Sequence, residues 1–208
     1  MRLEDILARA SVIPVLEVER LADAAPLARA LAAGGLEVIE LTLRTEAALE
    51  AIAAMKRAAP SLIVGMGTVR DAGDVQRALG AGADFLVSPG ASPALLGAMA
   101  GKPALPGVAT ASEAMTAHDA GFRALKFFPA EAAGGAAYLK SLAGPLPDIV
   151  FCPTGGISPD RVPDYFALPN VVCVGGTWIA TKAMIVGGDW PGVEANARRA
   201  AALKSASR

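Results

Sequence analysis

Histidine, cysteine and aromatic side chains are scarce in this sequence. Of 208 residues one is histidine and two are cysteine, which all but excludes histidine-clustered metal sites and Ser/His/Asp triads. His118 falls in a segment that reads as a helix, 111–120, where a solvated imidazole is the simplest role. Cys152 and Cys173 both lie inside apolar runs, the usual setting of a small buried hydrophobe in a reducing compartment. Neither sign of charge prevails: 19 basic residues face 20 acidic ones, leaving no electrostatic footprint for nucleic acid or an anionic membrane. No run reaches the roughly 18 apolar residues of a membrane span. The start, MRLEDILARA, is charged at once and carries no apolar core of signal-peptide length. A cytoplasmic protein with neither nucleic acid nor membrane as partner is expected.

What the chain has in quantity is small and branched apolar residues. Hydrophobic residues make up 53% and aromatics 5%, and alanine supplies about a fifth of the chain, well above ordinary usage. The length suits one domain, expected to span 1–208. Short apolar runs, most of them with β-branched residues, recur along it: VIPVLEV from Val12, VIELTL from Val38, LIVGMGTV from Leu62, FLVSPG from Phe85, ALPGVAT from Ala104, ALKFFPA from Ala124, IVFCPTGG from Ile149 and VVCVGGTW from Val171. Each tends to close on Gly, Pro or Thr. Between them lie alanine-rich stretches of helical period, such as LADAAPLARALAAGG and EAALEAIAAMKRAAP. Eight alternations of strand and helix predict a parallel (β/α)8 barrel. An open doubly wound sheet is the competitor, weakened by the absence of a GxGxxG turn after the first strand.

In such a barrel alternate strand residues face the interior, and active sites form at the C-terminal strand ends. In VIELTLR, Ile39, Leu41 and Leu43 share one face, leaving Glu40, Thr42 and Arg44 on the other. That polar inner face suits either a structural ion pair or a substrate site. Among six lysines, Lys56, Lys102, Lys140, Lys182 and Lys204 fall in helices or loops, where a solvated stem is expected. Lys126 instead stands in the apolar run ALKFFPA; desolvation readily converts a lysine into a Schiff-base nucleophile for carbonyl substrates. A structural pairing with a buried carboxylate is the other reading of it. Glycine pairs end the last two strands, Gly155-Gly156 and Gly175-Gly176. Either could serve tight turns alone, but at the seventh and eighth strand ends they point to phosphate binding by backbone N–H groups. Ser158-Pro159 reads as a helix cap that aims its helix at that phosphate.

The strings VIELTLRT, GMGTV, SPG, LKFFPAE and FCPTGGISP, in this order across nearly the whole chain, resemble those of the bacterial 2-keto-3-deoxy-6-phosphogluconate (KDPG) aldolases. The resemblance implies a (β/α)8 barrel, usually a homotrimer, that splits a phosphorylated 2-keto-3-deoxy sugar acid into pyruvate and glyceraldehyde 3-phosphate through a lysine Schiff base, with no metal or other cofactor. It implies Lys126 as the imine-forming residue and Glu40 as the proton carrier. It assigns Arg44 and Thr68 to the pyruvate carboxylate, and Thr154, Gly155, Gly156, Gly176 and Thr177 to the rest of the sugar and its phosphate. Phe128 and Pro89 would wall the pyruvate methyl.

Two positions depart from the family's pattern. Thr177 stands where serine is usual, and Met66 takes the place of alanine in GAGTV; by strand parity Met66 shares a face with Thr68 and would crowd the pocket. Relatives acting on the galactonate epimer tend to lack the counterparts of Arg44 and Thr154, so the resemblance implies the gluconate substrate. The competing readings are 4-hydroxy-2-oxoglutarate cleavage, the galactonate epimer, a phosphate-binding barrel isomerase or synthase, and a non-catalytic phosphosugar-binding barrel.

Overall fold

The computed structural model describes residues 1–203; Lys204 and the last residues of the expected domain lie outside that range. All eight apolar runs contain strands: β1 (Val12–Leu16), β2 (Val38–Thr42), β3 (Ile63–Gly67), β4 (Phe85–Val87), β5 (Ala104–Leu105), β6 (Gly107–Val108), β7 (Ala124–Phe127), β8 (Val150–Pro153) and β9 (Val174–Gly176). Every pairing is parallel. Between the strands run α2 (Leu21–Ala33), α3 (Ala48–Ala58), α4 (Ala72–Gly80), α5 (Pro93–Met99), α6 (Ala111–Asp119), α7 (Gly135–Leu142) and α8 (Val162–Phe166), with α9 (Lys182–Gly187) and α10 (Trp190–Ala202) after the last strand.

The hydrogen-bonded ladders form two sheets, ordered β5-β4-β3-β2-β1-β9 and β6-β7-β8. The expected parallel α/β alternation is therefore present, without one continuous eight-stranded ladder. Two physical interruptions account for the difference. ALPGVAT does not form one strand, because Pro106 has no N–H to give and splits it into β5 and β6; its carbonyl still accepts from Lys126 N at 2.9 Å. At the other junction β8 meets the β9 segment through the isolated parallel bridges Phe151↔Val171 and Thr154↔Gly175.

Strand parity divides the buried side chains into two clusters. Ile39, Leu41, Val64 and Met66 belong to the larger one, packed with the helices. Ile13, Val38, Ile63, Phe85, Cys152 and Cys173 belong to the smaller one on the opposite strand face. Gly65 leaves room for the Phe85 ring, with which any side chain at that position would collide. The opening MRLEDILARA contains a helix that the strand-helix count does not anticipate, α1 (Leu3–Leu7). Its Leu3, Ile6 and Leu7 make an i, i+3, i+4 stripe that joins the smaller cluster. That cluster forms an apolar floor beneath the polar residues two positions further along the same strands.

Candidate active site

Glu40 lies at the middle of β2, one alternation beyond Val38, and Lys126 lies on β7, one alternation beyond Ala124. The two strands belong to different sheets, and their side chains meet across the interior. Lys126 Nζ donates to Glu40 Oε1 at 3.1 Å and lies 3.5 Å from Oε2. The side chains are only 7% and 5% exposed, so neither charge could be left alone without a large desolvation cost. Gly67 makes space for the carboxylate, since any Cβ there would collide with Glu40 Oε1. The Phe128 ring, just past β7, sits with its centroid 5.3 Å from Nζ, a cation–π distance that also screens the amine from water.

Arg44 and Thr68 come together beyond the ends of β2 and β3. Arg44 Nε donates to Thr68 Oγ1 at 3.1 Å. Thr68 has a φ of 62°, a left-handed conformation that is a true outlier for a β-branched residue. This backbone turn ends the strand alternation, and it overturns the expectation that Met66 crowds the pocket. Met66 is fully buried on the helix side of β3, while Thr68 is swung round to Arg44. Pro89 joins through the backbone: a side chain at Gly107 would collide with it, and Gly107 pairs with Lys126 in the β6–β7 ladder.

At the end of β8, Thr154 is buried and bridges to Gly175. Gly155 and Gly156 come next with φ of 105° and 79°, conformations that favour glycine and turn the backbone sharply. The turn is tied down from behind: Ala130 N donates to Thr154 O at 2.8 Å and Glu131 N to Gly155 O at 3.1 Å. The buried Tyr165 hydroxyl donates to Glu131 Oε1 at 2.5 Å. Burial, and then that carboxylate, push the Tyr165 phenol well above its usual range, so it remains a donor. Ser158 does precede a proline-led turn, Pro159–Arg161, but this is a 3₁₀ turn into the five-residue α8, and the Ser158 side chain makes no capping bond. A side-chain-capped helix beginning at Ser158 and aimed at an anion, as the sequence suggests, is therefore replaced by a short turn.

Gly176 ends β9, and the exposed Thr177 shares with Thr42 and Arg44 a cavity of about 300 Å³. The same cavity is lined by Glu17 and Lys182, which no sequence pattern singles out; Glu131 is hidden in the same way. Glu17 lies in the VIPVLEV run, and Lys182 comes six residues after the last strand; their neighbourhood is set by tertiary structure alone. Among the described residues no three of His, Cys, Asp and Glu converge as metal ligands would.

A parallel α/β fold that buries a lysine against a carboxylate between its strands, above an apolar floor, has the outline of a lysine-dependent lyase. Comparison with known proteins gives that outline a family. The family model for KDPG and KHG aldolase matches residues 3–196, and the chain belongs to that family. It is 48% identical over 201 residues to a 2-dehydro-3-deoxy-phosphogluconate aldolase of Pseudomonas aeruginosa, covering 96% of this chain and 91% of that protein. The crystal structure of a 2-keto-3-deoxy-6-phosphogluconate aldolase from Zymomonas mobilis superposes with a TM-score of 0.94 over 100% of both chains at 43% identity. A KDPG aldolase from Legionella pneumophila, with pyruvate captured as a covalent carbinolamine, superposes with a TM-score of 0.92 at 41% identity, covering 95% of this chain and 97% of that one.

Proposed function

We propose that the protein is a class I aldolase that cleaves 2-keto-3-deoxy-6-phosphogluconate into pyruvate and glyceraldehyde 3-phosphate. The observation that carries this reading is the buried Lys126–Glu40 contact at 3.1 Å. A proton passed from the ammonium to the carboxylate leaves a neutral amine, which attacks the C2 ketone; Glu40 returns the proton as the carbinolamine hydroxyl departs as water. The protonated imine then acts as an electron sink. Glu40 takes the C4 hydroxyl proton, the C3–C4 bond breaks, its electrons form the enamine on the lysine, and glyceraldehyde 3-phosphate leaves. Protonation of C3 and hydrolysis of the imine release pyruvate.

Arg44 and Thr68 would hold the carboxylate, the guanidinium by a charge-assisted contact. Phe128, already stacked on the amine, and Pro89 would flank the methyl. Thr154, Gly155, Gly156, Gly176 and Thr177 would take the remaining hydroxyls and the phosphate. The same reading includes one barrel domain over 1–208, supported by the bridges that join β8 to the β9 segment and by the direct succession of β5 and β6. A homotrimer, taken from the family resemblance, and a cytoplasmic location, expected from the composition, complete it; a monomer in light scattering would remove the first.

Borohydride trapping tests the chemistry directly. Incubation with pyruvate, reduction and peptide mass spectrometry should place a reduced pyruvyl adduct on Lys126. Folded protein that forms no adduct would end the aldolase reading.

A further inference from the structure

The cavity at the ends of β1, β2 and β9 has charged walls of alternating sign. Arg44 Nη1 lies 4.0 Å from Glu17 Oε2, Lys182 Nζ lies 3.9 Å from Glu17 Oε1, and the same Nζ lies 2.5 Å from Glu19 Oε1. One carboxylate, Glu17, is thus shared between two cations, which stand within about 10 Å of each other. A six-carbon acid phosphate carries anionic groups at both ends across a comparable span. Thr177, in the same cavity as Lys182, is the last residue of the segment proposed to bind phosphate.

We infer that Lys182 is a specificity-determining residue, a cation that leaves Glu17 and Glu19 to pair with the substrate's phosphate while Arg44 takes its carboxylate. The inference rests on the phosphorylated sugar acid being the substrate. Exchange is favoured in this direction because the existing pairs are open to solvent, the Lys182 side chain being 61% exposed and those of Glu17 and Glu19 33% and 43%. Such pairs gain little, whereas a phosphate brings close to two charges and three strong acceptor oxygens. The Lys182 ammonium keeps its charge over the working pH range, as Glu19 holds it above the ordinary lysine value. Thr181 fixes the start of α9, accepting from Met184 N at 3.3 Å, so the lysine stem leaves a defined point beside the cavity. Glu17 has the opposite sign of effect: it holds the cations in the empty site and repels the phosphate that replaces it.

The test compares the phosphorylated sugar acid with 2-keto-3-deoxygluconate, the same acid without phosphate. Lys182→Gln should raise KM for the phosphorylated substrate about ten-fold with kcat within about two-fold of the parent, and should leave KM for the unphosphorylated acid unchanged. Lys182→Arg should restore the lower KM, and Glu17→Gln should lower it. An equal change on both substrates, or none on either, overturns the inference. Calorimetric titration with 3-phosphoglycerate gives a reading without turnover: weaker binding by Lys182→Gln supports the role, and an unchanged Kd removes it. A parent protein that cleaves neither acid would refute the aldolase reading, and the titration would still decide the case of Lys182.

Discussion

From the starts of β2 and β7 to just beyond the strand ends, the interior changes character. Val38 and Ala124 stand in the apolar floor with Ile13, Phe85 and the α1 side chains; one alternation later Glu40 and Lys126 form a buried ion pair; beyond the strand ends Arg44, Glu17 and Lys182 are paired in the open. The pairs in the two upper layers do different work because of what surrounds them. Below, side chains exclude water, so the Lys126–Glu40 interaction is unscreened and its proton has few places to go. At the mouth, solvent and salt weaken each pair, so an anionic substrate can replace one partner by another. A floor that is dry and a rim that is wet on the same face is what a site needs if it is to hold a reactive amine and still admit a doubly anionic molecule.

The sharpest way to break this contrast is to remove the pair at its centre. Lys126→Ala should remove more than about 4 kcal/mol of transition-state stabilisation, read from kcat/KM. Turnover equal to the parent's would refute the assignment. Glu40→Gln keeps the shape but not the proton traffic, and should lower kcat by about 10² to 10⁴-fold while a lysine adduct remains trappable, slowly, with borohydride. An adduct formed at the parent's rate would show that the carboxylate carries no proton in imine formation.

The floor can be tested by stability rather than rate. Phe85 is fully buried, and Gly65 across the β3–β4 ladder leaves its ring the space it fills. Phe85→Ala should therefore open a void and cost about 3 to 5 kcal/mol in denaturant unfolding. A loss below about 1 kcal/mol would mean that the floor collapses freely and does not fix Glu40 from beneath.

Most of the architecture is legible in the chain because parallel strands buried on both faces appear as short, mainly apolar runs, and all eight such runs contain strands. Parity likewise puts Glu40 on the correct face, and apolar surroundings single out Lys126. Three things are hidden for definite reasons. The five-residue α1 is too short for its apolar period to stand out. The pairing of Glu17 with Lys182 joins the residue just past the first strand to the first residue of α9, a tertiary fact that no local pattern carries. Strand parity misplaces Met66 because it holds only while the backbone stays extended, and the positive φ at Thr68 interrupts it; nothing in Gly-Met-Gly-Thr-Val announces that a threonine takes that conformation.

The same threonine supplies the smallest and most discriminating effect. A β-branched side chain in the left-handed region costs about 1 to 3 kcal/mol, while replacing it by glycine returns about 0.5 to 1 kcal/mol of that through the freer unfolded chain. Thr68→Gly should accordingly raise stability by about 1 kcal/mol, measured as a higher denaturant midpoint at unchanged slope. It also deletes the hydroxyl that accepts from Arg44 Nε at 3.1 Å, so KM should rise as the guanidinium loses its anchor, with kcat less affected. Higher stability with weaker binding would mean that the strain at Thr68 is the cost of holding Arg44 at the boundary between the buried pair and the exposed one. A stability loss, or a KM equal to the parent's, would instead make Thr68 a part of the fold with no share in the rim.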